Sequence, residues 1–160
     1  MTSSVLVAGI GNIFLGDDGF GPEVMRRLPT TMADADVRLC DYGIRGVHLA
    51  YDLLDGWDSL ILVDALPSRG CAGALHVFEV DGESHSGAPG LDAHTMDPAA
   101  VFASMRALGG SPPYTVVIGC EVATVADGIG LSEPVAAAIP GAVAAVEAAV
   151  ARLSAPVREG

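Results

Sequence analysis

One stretch constrains the rest of this chain: Val5-Leu6-Val7-Ala8-Gly9-Ile10-Gly11-Asn12-Ile13-Phe14-Leu15-Gly16-Asp17-Asp18-Gly19-Phe20-Gly21. The run from Val5 to Ala8 is short, continuous and β-branched at Val5 and Val7, so it reads as a buried strand. Gly9 and Gly11 permit a tight exit and a close backbone approach. Two adjacent carboxylates, Asp17 and Asp18, then stand between glycines ahead of a helical pattern. That position lies beyond the carboxyl end of a strand, where open α/β sheets place their ligands. Carboxylates also cap helices well. One of the pair is therefore expected to cap the helix at residues 19–28, leaving the other to face a cleft.

The stretch is not a dinucleotide site. Gly9-Ile10-Gly11 supplies half of G-x-G-x-x-G, but Phe14 stands at the third glycine position. Two carboxylates at the entrance of the next helix repel a pyrophosphate, which needs that positive end free. No nucleotide is expected to bind.

Composition narrows the remaining classes. A chain of 160 residues that is 51% hydrophobic favours one domain, 1–160, with a sizeable core. A net charge of -12 with only 8 Lys and Arg argues against nucleic acid or an anionic membrane as partner. The apolar tail around residues 136–150 is broken by Pro140, Gly141 and Glu147 and is not expected to span a membrane. No basic n-region follows the first methionine. Cys40, Cys71 and Cys120 fit no zinc spacing and read as reduced thiols of a cytoplasmic protein.

Strands and helices alternate along the chain. Phe20, Val24 and Leu28 trace a helix face stopped by Pro29. Val37-Arg38-Leu39-Cys40 reads as a strand ending at Asp41-Tyr42-Gly43, and Val47, Tyr51 and Leu54 as the next helix face. Residues 59–65 form the clearest buried strand and end at Asp64. Residues 74–80 alternate and read as an edge strand, possible in antiparallel pairing. A polar, Gly-rich loop at residues 81–93 leads to His94, and Pro98 opens a helix through Val101, Met105 and Leu108. Residues 114–120 are the last strand. Ser132-Glu133-Pro134 opens a final helix with Val135, Ile139, Val143, Val146 and Val150 inward, which Pro140 is expected to kink or split.

This alternation predicts an α/β fold: a three-layer sandwich with a mostly parallel, twisted five-stranded sheet and helices on both faces. With the first strand between the second and third, the crevice opens where Asp18 and Asp64 both emerge. His94 lies in a loop able to reach it. Two carboxylates and an imidazole suit a borderline divalent metal such as nickel or zinc. A carboxylate after a strand equally serves as a turn acceptor, and a histidine near a helix start equally sits on the surface. His76, on the outward side of an edge strand, His48 and His85 are weaker candidates. There is no G-x-S-x-G elbow, and Cys40 and Cys120 end strands as core cysteines do.

The residues carry a resemblance. The opening motif from Gly9 to Gly21, then Asp41-Tyr-Gly-Ile-Arg-Gly, Leu62-Val-Asp-Ala, His94, Gly119-Cys-Glu and Leu131-Ser resemble the hydrogenase maturation endopeptidases, in order and over nearly the whole chain. The resemblance implies a processing protease, aspartyl-type in its carboxylate use. Its partner is the large-subunit precursor of a nickel–iron hydrogenase, trimmed at the C-terminus after nickel insertion. It implies Asp18, Asp64 and His94 as metal-contacting and catalytic residues, and Asn12, Asp41 and Gly43 as substrate contacts. Nickel then arrives with the substrate, and none is bound tightly at rest. Some relatives carry glutamate where this chain has Asp18, one methylene longer. The alternative is a non-catalytic chaperone that senses nickel with the same triad.

Overall fold

The computed structural model describes residues 3–80 and 98–155. Five strands, β1 (Val5–Ile10), β2 (Val37–Gly43), β3 (Ser59–Leu66), β4 (Leu75–Val80) and β5 (Tyr114–Glu121), form one sheet in the order β2-β1-β3-β5-β4. The first four in that order are parallel and β4 is antiparallel to β5. The central strands carry long apolar runs because both their faces are covered. β1 and the first six residues of β3 are buried throughout.

Among the described residues, four α-helices cover the sheet. Alternation along each strand decides which residues meet which layer. Val5, Val7, Ile61, Val63, Ile118 and Cys120 face α1 (Phe20–Arg27) and α4 (Glu133–Leu153). Leu6, Ala8, Ile10, Leu60, Leu62 and Val117 face α2 (Gly46–Leu53) and α3 (Pro98–Ala107). Burying Phe20 and Val24 of α1 is worth about 2 kcal/mol each, and both are fully enclosed. The architecture is the three-layer α/β sandwich expected, with the first strand between the second and third.

Three local expectations change. α2 buries Leu49, Ala50 and Leu53, whereas Val47, Tyr51 and Leu54 are exposed. Both stripes are apolar at helical spacing, so periodicity alone does not choose between them. β2 runs on through Gly43, with Tyr42 buried and its hydroxyl donating to Asp52 Oδ2 at 2.7 Å. α4 continues through Pro140 without a break. Pro140 and Ala136 both lie on the exposed side, so the carbonyl that loses its amide partner is beside water. By length and composition α4 would span a membrane, yet Val135, Ile139, Ala142, Val146 and Val150 pack against the sheet.

Helix and strand approach most closely at glycine. A Cβ on Gly21 would drive into the carbonyl oxygens of Ile10 and Val63, so the start of α1 lies directly on the ends of β1 and β3. Gly21 therefore does the packing that the third glycine does in a dinucleotide fold, ten residues beyond Gly11.

Candidate active site

β1 leaves the sheet at Ile10, and Gly11, at φ +146°, turns the chain back so closely that a Cβ there would strike the Asp18 carbonyl oxygen. The Gly11 N–H donates to the Gly43 carbonyl at 2.9 Å, tying the end of β1 to the end of β2. A short 3-10 turn, Gly16–Gly19, then carries both aspartates inward. Asp18 is 7% exposed and Asp64 5%. Asp64 follows Val63, the partner of Gly9, so both carboxylates stand at the carboxyl end of the parallel sheet.

Among the described residues, the surroundings of Asp18 are sparse. Its Oδ2 accepts the Asn12 N–H at 2.8 Å. Burial pushes its pKa up and this hydrogen bond only partly offsets the effect. An anion held this way gains from an arriving cation. Asn12 also organises its own turn, its Oδ1 accepting the Phe14 N–H at 2.9 Å. Asp41 is exposed and accepts the Gly43 N–H at 2.9 Å, an Asx turn at the mouth of the site. A groove of about 690 Å³ opens beside these turns, lined among others by Ile13, Gly16, Gly19, Asp41, Ile129 and Leu131. Among the described residues no three His, Cys, Asp or Glu side chains converge as a metal site. His94 and its competitor His85 lie outside the described residues.

Neither aspartate caps α1. The residue at its N-cap is Gly19, and no side chain bonds there. Asp17 turns the other way and is wholly buried. Its Oδ2 accepts the Ala123 N–H at 2.8 Å, the Thr124 N–H at 3.1 Å and Ser132 Oγ at 2.8 Å, while Oδ1 accepts the Ser132 N–H at 2.7 Å. Burial raises its pKa, but the bonds from Ser132, Ala123 and Thr124 outweigh burial and hold it below the ordinary aspartate value. The sequence offered only the doubling of Asp between glycines as a sign of this second role.

A further pair went unread in the sequence. Glu121, 4% exposed at the end of β5, bonds His76 Nε2 through Oε2 at 2.7 Å. Its Oε1 accepts the Arg69 N–H at 2.8 Å and the Cys71 N–H at 3.3 Å. His76 itself stays exposed on the outward side of β4, and its ring reaches back to the buried Glu121 carboxylate. Cys120 is no nucleophile: burial, then Asp17 and Glu121, push its thiol up to about 11.

Comparison with known sequences decides the family. Residues 22–149 match the hydrogenase maturation protease family, more than half of the chain. The chain belongs to it. This maturation protease is 31% identical over 157 residues to the coenzyme F420 hydrogenase subunit delta of Methanothermobacter thermautotrophicus, covering 88% of this chain and 90% of that protein. Its fold matches the hydrogenase maturating endopeptidase HybD of Escherichia coli with a TM-score of 0.77 and 26% identity, over 93% of each chain. The hydrogenase 2 maturation peptidase of a Thaumarchaeota archaeon superposes with a TM-score of 0.69 at 31% identity, over 92% of this chain and 98% of that one. The maturation protease is thus an endopeptidase.

Proposed function

We propose that this protease removes the C-terminal extension of the nickel-loaded large-subunit precursor of a nickel–iron hydrogenase, in the cytoplasm. The observation that carries the reading is the pair of buried carboxylates, Asp18 and Asp64, at the carboxyl ends of adjacent parallel strands. Burial disfavours the lone anion at Asp18. A divalent ion delivered by the substrate relieves that cost, so docking is favoured only when the precursor carries its metal. Two carboxylates and the His94 imidazole complete the coordination of an ion already held by substrate thiolates and compete poorly for a free one.

Asn12, Asp41 and Gly43 frame the mouth and contact the polypeptide around the ion. Hydrolysis follows from carbonyl polarisation or water activation at the docked nickel, with a carboxylate available as general base. The test incubates the protein with nickel-loaded precursor and weighs the products. A shortened large subunit is expected from the wild type and not from Asp64→Ala or His94→Ala. Binding without shortening would overturn the reading and mark a nickel-sensing chaperone instead.

A further inference from the structure

The reaction leaves Asp17 without a part, although it is the most enclosed carboxylate at this end of the sheet. All four hydrogen bonds to it come from Ala123, Thr124 and Ser132, more than a hundred residues away in sequence. The main chain adds to the tie. The Asp17 N–H donates to the Thr124 carbonyl and the Gly16 N–H to the Gly128 carbonyl, both at 2.9 Å, and the Gly128 N–H donates to the Phe14 carbonyl at 2.8 Å. Leu15 and Gly128 pair as an isolated parallel bridge.

Residues 123–130 are exposed without exception. No apolar burial fixes this segment in place, so its polar contacts with residues 14–17 do. The segment nonetheless shapes the groove. Ile129, 77% exposed, lines it together with Leu131, Asp41, Gly16 and Gly19. Ser132 is also the N-cap of α4, so the same carboxylate sets where the segment ends and the helix starts.

We propose that Asp17 is a positioning residue for the protein substrate. Its carboxylate fixes the segment that carries Ile129, Gly130 and Leu131 into the wall of the groove that Gly16 and Gly19 also line, and so sets the affinity for the precursor without touching the reacting atoms. This rests on the function proposed above, which makes the precursor the ligand of the groove. The charge matters because four donors converge on two oxygens. An amide has one acceptor oxygen and turns an NH2 group toward donors it cannot satisfy.

The experiment compares the wild type, Asp17→Asn, Ser132→Ala and the double variant, all as the full chain. Hydrogen exchange is read at residues 122–132 and in the sheet. Affinity, KM and kcat are read with nickel-loaded precursor. Asp17→Asn is expected to speed exchange in the segment while the sheet stays protected, and to weaken precursor affinity and raise KM about tenfold. Its kcat should stay within about twofold. Ser132→Ala keeps the carboxylate and three backbone donors, so it folds even where Asp17→Asn does not. It should shift KM in the same direction by less, and the double variant should be no worse than Asp17→Asn alone. A fall in kcat at unchanged KM overturns the proposal, as does faster segment exchange at unchanged affinity. Wild type that binds precursor without cutting it refutes the proposed function alone, since affinity still tests Asp17. Wild type that neither binds nor cuts refutes both.

Discussion

Asp17 and Asp18 share a peptide bond, yet their carboxylates are held in opposite ways. Asp17 accepts four hydrogen bonds from residues 123–132 and sits below its ordinary pKa. Asp18 accepts the Asn12 N–H, and burial lifts it above the ordinary value. The first carboxylate is satisfied by the fold, and the second, in the function proposed above, is stabilised by the metal it meets. Division of labour within one dipeptide is what the glycines on either side make room for.

That contrast predicts opposite stability effects. Asp17→Asn leaves buried donors facing an amide and should cost about 1–3 kcal/mol in urea unfolding. Asp18→Asn removes a charge that burial disfavours and should leave stability at neutral pH unchanged or raised. The signs follow from linkage. The contribution of Asp17 is present above the unfolded value of 3.8 and is lost as pH falls through its lower folded value. For Asp18 the folded chain holds the proton more tightly, so stability declines as pH rises from 3.8 through its raised folded value.

Gly21→Ala should destabilise by at least about 2 kcal/mol. The new methyl would meet main-chain oxygens of Ile10 and Val63, which cannot swing aside as a side chain does. Thermal unfolding checks this, and a variant as stable as the wild type would mean that α1 does not lie directly on the strand ends.

Glu121→Gln should loosen the turn at residues 67–74. The Glu121 pKa is lowered by the bonds from His76, Arg69 and Cys71 against the opposing effect of burial. A depressed carboxyl contributes stability above its unfolded value of 4.5 and loses it as pH falls through the folded value. Unfolding curves of the two proteins should therefore differ at neutral pH and converge in acid, with exchange in the turn faster in the variant.

At the site itself, Asp18→Glu should retain precursor cleavage, since it keeps the charge and adds one methylene. Asp18→Asn should lose at least about tenfold, because a neutral amide gives an incoming cation no counter-charge. Cleavage rates under single-turnover conditions separate the two. Equal losses would mean that reach, not charge, is what position 18 supplies.

The sheet was legible because its central strands are covered on both faces. Val5–Ala8, Leu60–Val63 and Val116–Ile118 are apolar runs, and the observed strands extend the expected ones by only one or two residues at the carboxyl end. The α/β layering followed from the alternation of strands with helices, and the place of β1 between β2 and β3 matches the arrangement expected for the crevice. Asp18 and Asp64 were legible as residues at strand ends, which the sheet brings to one side. The face of α2 was not, because Val47 and Tyr51 compete with Leu49 and Leu53 at the same spacing. Asp17 and Glu121 were misread for a different reason. Their partners are backbone amides, the Ser132 hydroxyl and a histidine, 45 to 115 positions away, and a backbone amide leaves no mark in the residue type that carries it. His94 remains a reading of the sequence, outside the described residues.

The central claim is that cutting depends on the metal carried by the substrate. The direct measurement is mass spectrometry of one large-subunit precursor, prepared with nickel and without it, after incubation with the wild-type protein. The account predicts a shortened chain from the loaded precursor and an unchanged one from the empty precursor. Equal shortening of both would contradict it, as would no shortening of either.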